Sequence, residues 1–171
     1  ELDELLLLIP NVPLEEVPLG LGENDNVLMR TSGSIKTPNF DPLPHWELGE
    51  KLGIIDFKRG AKLSGSRFFI LQGKGAMLQR ALVAWMLDVH TRDNGYEELY
   101  LPAIVSRSVV TGSGQMPKFR DNMYRDDEDD LWLIPTAEVP MTGMHAGEIL
   151  DPGTLPIKYV AHTPCFRREK A

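Results

Sequence analysis

Residues 75–105 read GAMLQRALVAWMLDVHTRDNGYEELYLPAIV, and the change of period within them decides the class of fold. Over residues 76–93 the apolar Met77, Leu78, Ala81, Leu82, Trp85, Met86 and Val89 recur at spacings of three and four, which puts them on one stripe of an α-helix. Asn94-Gly95 supplies the stop, because glycine takes the left-handed conformation that closes a helix without a steric penalty. Residues 96–101 then read as a strand running into Pro102, which has no N–H for a sheet ladder and so marks an edge or an end.

Upstream of this unit, residues 1–9 (ELDELLLLI) read as the last turns of a helix stopped by Pro10. Residues 10–26, with Pro10, Pro13, Pro18, Gly20 and Gly22, read as an extended connector. A short strand is predicted over residues 26–31. A short helix is predicted within residues 38–53, where Trp46, Leu48 and Leu52 share a face. Residues 66–71 (SRFFIL) are a strand by their aromatic and branched content, broken by Gly73-Lys74-Gly75. Downstream, residues 111–116 read as a loop and the acidic run 126–130 as a hairpin turn. Residues 131–134 form a strand, 137–150 largely a helix, Asp151-Pro152-Gly153 a turn, and 157–166 a final strand. Strands and helices mixed in this order indicate an α+β domain. Gly73-Lys74-Gly75 lacks the spacing of a P-loop or of a dinucleotide fingerprint, so neither of those folds is supported.

The chain has 171 residues, enough for one domain with a real core. Its formal net charge of -7 argues against a protein whose main task is coating nucleic acid, since neutralising phosphates requires clustered lysine and arginine. It leaves room for local basic patches such as Arg167 and Arg168. The single cysteine, Cys165, excludes an internal disulfide and a multi-cysteine zinc site, and fits a reducing cytosol. The apolar run 5–9 is too short to span a bilayer, and the acidic start has no signal-peptide pattern. A cytoplasmic protein without a membrane partner is therefore expected. Because the chain starts at Glu1 rather than methionine and breaks off soon after an apparent site, it is expected to be cut at both ends.

Two strings carry the chemistry. Pro135-Thr136-Ala137-Glu138-Val139-Pro140 and Cys165-Phe166-Arg167-Arg168-Glu169 each set an ionisable residue in an apolar run. A carboxylate buried there needs a cation, and a guanidinium needs an anion, so together they suit a ligand bearing both signs. Thr136 and Glu138 also fit a plainer role, with Thr136 capping a helix and Glu138 in its favourable first turn. Alternation along a strand puts Arg167 and Glu169 on one face and Arg168 on the other, a pattern equally common in surface ion pairs. If the string is functional, Arg167 can clamp an α-phosphate with its planar fork, and Glu169 can accept from an adenine amino group. Cys165 reads as a small buried residue. His45, His90, His145 and His162 have no metal spacing, and the acidic run lacks the glycine and distal glutamate of a calcium loop.

With these residues on the page, the chain resembles the bacterial-type seryl-tRNA synthetases, a family of class II aminoacyl-tRNA synthetases. Residues 8–13 (LIPNVP) resemble the link between the family's helical arm and its catalytic domain. Residues 75–105 resemble class II motif 1, and 112–119 (GSGQMPKF) the flexible loop near the active site. Residues 135–140 resemble the serine-binding TxE segment, and 165–169 the first strand of motif 2. The resemblance implies an antiparallel sheet flanked by helices, incomplete here, with residues 1–9 a stub of the tRNA-binding arm and 10–171 the first part of the catalytic domain.

It also implies a serine–tRNA ligase that activates serine with ATP to seryl-adenylate and transfers it to tRNA(Ser). Thr136, Ala137 and Glu138 would hold L-serine, with Glu138 opposite its ammonium. Arg167 would be catalytic, bridging the serine carboxylate and the α-phosphate, and Arg167, Arg168 and Glu169 would bind ATP. Mg2+ is expected with the nucleotide, its ligands lying beyond Ala171 together with the rest of motif 2 and motif 3, so no metal ligand is assigned within this chain. A homodimer is expected through residues 75–102. Sheet edges are expected to stand open where further strands would pair, and the isolated fragment is expected to be weakly active or inactive. Two other readings stand beside this one: a homologous amino acid–carrier protein ligase, and a non-catalytic or truncated dimerising fragment.

Overall fold

The computed structural model describes residues 2–169, with Glu4 described in its backbone alone. The chain divides into two compact units, Ile9–Gly75 and the described residues of 1–8 with 76–171. The N-terminal helix α1 spans Leu2–Leu6, inside the stretch read as helical.

In the unit Ile9–Gly75, the stretch up to residue 44 is largely irregular and exposed, apart from a 3-10 turn at Glu23–Asp25. The strand predicted over residues 26–31 is not formed: among the described residues the segment pairs with no other strand, and a lone extended chain leaves its amides to water. Helix α2 (His45–Lys51) stands where the apolar spacing put it. Strand β1 (Ile55–Asp56), helix α3 (Phe57–Ser64) and strand β2 (Ile70–Leu71) follow, with β1 and β2 antiparallel and Asp56 opposite Ile70. Asp56 caps α3 by accepting the Arg59 N–H at 2.8 Å, and the Arg59 guanidinium pairs with its other oxygen. That backbone bond first, and the guanidinium second, hold the Asp56 carboxyl below the usual range. The strand expected over 66–71 shrinks to its last two residues because Gly65 (φ 94°) and Arg67 (φ 72°) take left-handed conformations that turn the chain. Gly60 lets α3 lie against this turn: a Cβ there would come within 2.4 Å of the Phe69 Cα.

Helix α4 (Lys74–Arg92) is the long helix read from the sequence. After it come β3 (Glu97–Glu98), β4 (Ile104–Ser106), α5 (Arg107–Gly112), β5 (Arg125–Asp126), β6 (Leu131–Leu133), α6 (Glu138–Gly143) and β7 (Tyr159–Val160). Strands β4, β6 and β5 form an antiparallel sheet in that order, with Val105 and Arg125 flanking Trp132. The antiparallel sheet expected is thus present, and β3 pairs with β7 in parallel as a separate two-stranded ladder. The 126–130 run does turn the hairpin between β5 and β6, with Asp130 at φ 54°, a conformation that Asp tolerates.

Three other elements are shorter than their sequence pattern: of these, the strand expected over 96–101 keeps only Glu97–Glu98. The helix expected over 137–150 ends at Gly143, after which turns lead to Gly147 at φ 78°. The strand expected over 157–166 pairs only at Tyr159–Val160. The loop expected from 111 starts two residues late, because α5 runs through Gly112.

The core of this unit is small and specific. Val110, Trp132, Ile134 and Val139 are fully buried, with Val105, Met116 and Met123 around them. Trp132 is gripped from several sides. Its indole N–H donates to Asp130 at 3.0 Å, and the guanidinium carbons of Arg107 and Arg125 stand 5.5 and 5.3 Å from its ring centroid. Arg107 also forks onto both oxygens of Asp130, at 2.7 and 2.8 Å. Those bonds, and next the indole N–H, hold the Asp130 carboxyl below the ordinary carboxylate range, and the same bonds to Asp130 raise Arg107. Against α5, α6 carries Gly143 where a Cβ would stand 2.7 Å from Val109 Cγ1. The apolar stripe of α4 behaves differently: Met77, Leu78, Leu82, Trp85 and Met86 are all exposed.

Candidate active site

The site grows from the far end of β6. Past Leu133 the strand direction continues for one residue: the Ile134 N–H donates to the Ala103 carbonyl at 2.9 Å. The Ile134 carbonyl accepts the Phe166 N–H at 2.8 Å, and two residues on the Arg168 N–H donates to the Asn122 carbonyl, also at 2.8 Å. The segment around Arg167 is therefore strung between two main-chain acceptors although it belongs to no regular strand. Arg167 completes the arrangement by donating its Nε–H to the Pro135 carbonyl at 3.0 Å. One edge of the guanidinium is thereby spent on orientation, and its Nη groups are left for an anion.

Between these segments lies a cleft of about 410 Å³, lined by Gln115, Phe119, Asn122, Met123, Pro135, Thr136, Arg167, Arg168 and Glu169. Of the residues singled out in the sequence, Thr136, Arg167, Arg168 and Glu169 come together on this wall. Ala137 and Glu138 are not part of it. The burial expected of Glu138 is not found: it is exposed, because α6 starts at this residue and turns Val139 and Pro140 into the core instead. The capping role read for Thr136 is not found: Ala137 holds the cap position without a side-chain bond, and the Thr136 hydroxyl accepts the Glu138 N–H at 3.4 Å, the contact of a local turn.

Asn122 and Met123 were not visible as site residues in the sequence. Asn122 acts through its carbonyl, which no side-chain pattern encodes. Gln115 and Phe119 fall in the 112–119 segment, so the loop resemblance was the signal for them. Arg168 lies with its guanidinium 4.9 Å from the Tyr124 ring centroid while Arg167 is held at Pro135, and both line the cleft, so the opposite faces expected from strand alternation do not separate them here.

Other candidates resolve simply. Cys165, expected to be buried, is exposed, because the hydrogen-bonded edge of its segment begins only at Phe166. His145 is a structural tie, with Nδ1 2.7 Å from Glu148 and Nε2 3.1 Å from the Tyr159 hydroxyl. In the acidic run, Asp126 accepts the Asp129 N–H at 3.0 Å, the bond of a turn. Among the described residues no group of three or more His, Cys, Asp or Glu is placed to hold a metal ion, and no helix is long and apolar enough to cross a membrane.

Comparison with known proteins bears on this geometry. The tRNA synthetase class II core domain (G, H, P, S and T) matches residues 118–171, the part that holds most of the cleft. The serine–tRNA ligase of Herpetosiphon aurantiacus is 55% identical over 170 residues, 99% of this chain and 40% of that protein. That of Roseiflexus is 58% identical over 165 residues, 96% of this chain and 39% of that protein. Among solved structures, a Pyrococcus horikoshii seryl-tRNA synthetase complexed with ATP superposes with a TM-score of 0.88 at 38% identity, covering 97% of this chain and 41% of that one. A cytoplasmic serine–tRNA ligase from Naegleria fowleri in complex with AMP gives 0.85 at 29% identity, covering 97% and 40%. The chain thus spans about 40% of the length of the curated relatives it matches.

Proposed function

Because the chain belongs to the seryl-tRNA synthetase family, we propose that it supplies the first part of a catalytic domain that joins serine to tRNA through seryl-adenylate. The observation that carries this reading is the cleft in which Thr136 and a pre-oriented Arg167 meet. In the activation step a serine carboxylate oxygen attacks the α-phosphorus of magnesium-ATP and pyrophosphate leaves. The seryl group then passes to a hydroxyl of the terminal adenosine of tRNA(Ser), and AMP leaves.

The chain's own residues act by positioning and by charge neutralisation. Arg167 spans the serine carboxylate and the α-phosphate, drawing off negative charge as the phosphorus becomes five-coordinate. Its Nε bond to Pro135 fixes the guanidinium plane before the ligand arrives. Thr136, Ala137 and Glu138 form the serine side. Glu138 is assigned to the ammonium by the family resemblance alone, for it stands in solvent and off the cleft wall. Glu169 receives the adenine amino group, and Arg168 borders the phosphates.

In the whole protein, residues 1–9 continue a helical arm and 10–171 the catalytic domain. The exposed stripe Met77, Leu78, Leu82, Trp85 and Met86 on α4 supports a homodimer through residues 75–102, in a cytoplasmic enzyme.

The test is serine-dependent ATP–pyrophosphate exchange by the full-length protein carrying Arg167→Ala or Arg167→Lys. Removing a preorganised donor to developing charge lowers kcat/KM by about 10²–10³. Arg167→Lys recovers little, because an ammonium lacks the planar fork that sets the carbonyl and the ligand in one fixed geometry. Exchange that survives Arg167→Ala refutes the role. Exchange with an amino acid other than serine favours a carrier-protein ligase, and no exchange at all with wild-type protein favours a non-catalytic module.

A further inference from the structure

Beside the cleft, and sharing Met123 and Arg168 with it, lies a second depression of about 240 Å³ whose remaining wall is Arg120, Asp121, Arg125 and Asp127. Three arginines and two aspartates thus line one small, strongly polar space. Arg125 is partly neutralised by Asp127, which accepts its Nε–H. Among the described residues neither Arg120 nor Arg168 belongs to an ion pair. Two of the three are held by aromatic faces, Arg168 at 4.9 Å from the Tyr124 ring and Arg125 at 5.3 Å from the Trp132 ring. Stacking of this kind occupies the flat face of a guanidinium and leaves its in-plane N–H edge for an acceptor. With Asp127 engaged on Arg125, the in-plane N–H edges of Arg120 and Arg168 suit an anion with several oxygens, and phosphate matches the fork geometry.

We propose that this depression is a phosphate subsite continuous with the cleft, with Arg120 as its outermost contact. The proposal rests on the synthetase reading only for the source of the phosphate. The nucleotide or its pyrophosphate product is one source, and the RNA backbone near its acceptor end is the other.

The experiment uses the full-length protein as wild type, Arg120→Gln and Arg120→Lys. Each is titrated with inorganic pyrophosphate, ATP and tRNA at two salt concentrations, with thermal unfolding as the check on folding. The dissociation constant of the phosphate-bearing ligand is expected to rise about five- to tenfold in Arg120→Gln and to recover largely in Arg120→Lys. A rise confined to ATP and pyrophosphate assigns the subsite to the nucleotide. A rise confined to tRNA, with the slope of log K against log salt lower by about one, assigns it to an RNA phosphate. Unchanged constants for all three ligands in a folded Arg120→Gln protein overturn the subsite. Failure of the synthetase reading shows up separately, as loss of serine-dependent exchange in the wild type, and leaves the pyrophosphate titration to decide the subsite.

Discussion

Replacing Ile134 by alanine tests whether the small core beneath the cleft is what organises it. The side chain has no exposed surface, and its backbone holds Ala103 on one side and Phe166 on the other. Truncation removes three carbons, and at about 0.8 kcal/mol per buried methylene the transfer contribution is about 2.4 kcal/mol. The space left behind adds to this, giving about 3–4 kcal/mol within the range of about 2–5 known for such truncations. Ile149 provides an internal control: it is 99% exposed, so the same substitution there should change stability by less than about 0.5 kcal/mol. Urea unfolding followed by Trp132 fluorescence, in a Trp46→Phe/Trp85→Phe background, reads both. With a slope of about 2 kcal/mol per molar, Ile134→Ala should lower the midpoint by about 1.5–2 M. Equal losses at the two isoleucines, or less than about 1 kcal/mol at Ile134, would show that burial in this core does not set the stability of the unit.

Two further outcomes follow from the same packing. Gly143→Ala places a methyl 2.7 Å from Val109 Cγ1 and should destabilise by about 1–3 kcal/mol; a double-mutant cycle with Val109→Ala should recover most of that, and additive losses would refute the contact. Asp130, held below the usual carboxylate range by Arg107, contributes stability that is full above the unfolded-state pKa of about 3.9 and is lost as pH falls through the lower folded value. The stability gap between wild type and Asp130→Asn should therefore be flat at neutral pH and close in acid, and a gap that widens in acid would contradict the pairing.

Elements with a strong local period were legible. α4 and α2 stand where their apolar spacing put them, and the acidic run turns its hairpin. What escaped was decided by partners rather than by local pattern. Helix α3 is rich in charged residues and carries Gly60, and it forms because Asp56 caps it and Gly60 lets it approach Phe69 closely. The 157–166 stretch looks like one strand, but only two residues find a neighbour, β3, whose parallel direction no local signal announced.

The site divides along the same line. Thr136, Arg167, Arg168 and Glu169 could be named from two short strings, and they share one wall. Glu138 could be named but not located, because the first residue of a helix belongs to whichever face the following residues leave free. Val139 and Pro140 took the inner one.

The three carbonyls that hold the Arg167 segment belong to Asn122, Ile134 and Pro135, and a carbonyl is the one acceptor every amino acid carries. Side chains at position 122 can therefore drift through evolution, or be randomised in a library, without loosening the tether. Resemblance among distant relatives should persist in the path of the chain here long after the letters have diverged. Only a change that reroutes the main chain, such as an insertion between residues 122 and 124, would let go of the arginine.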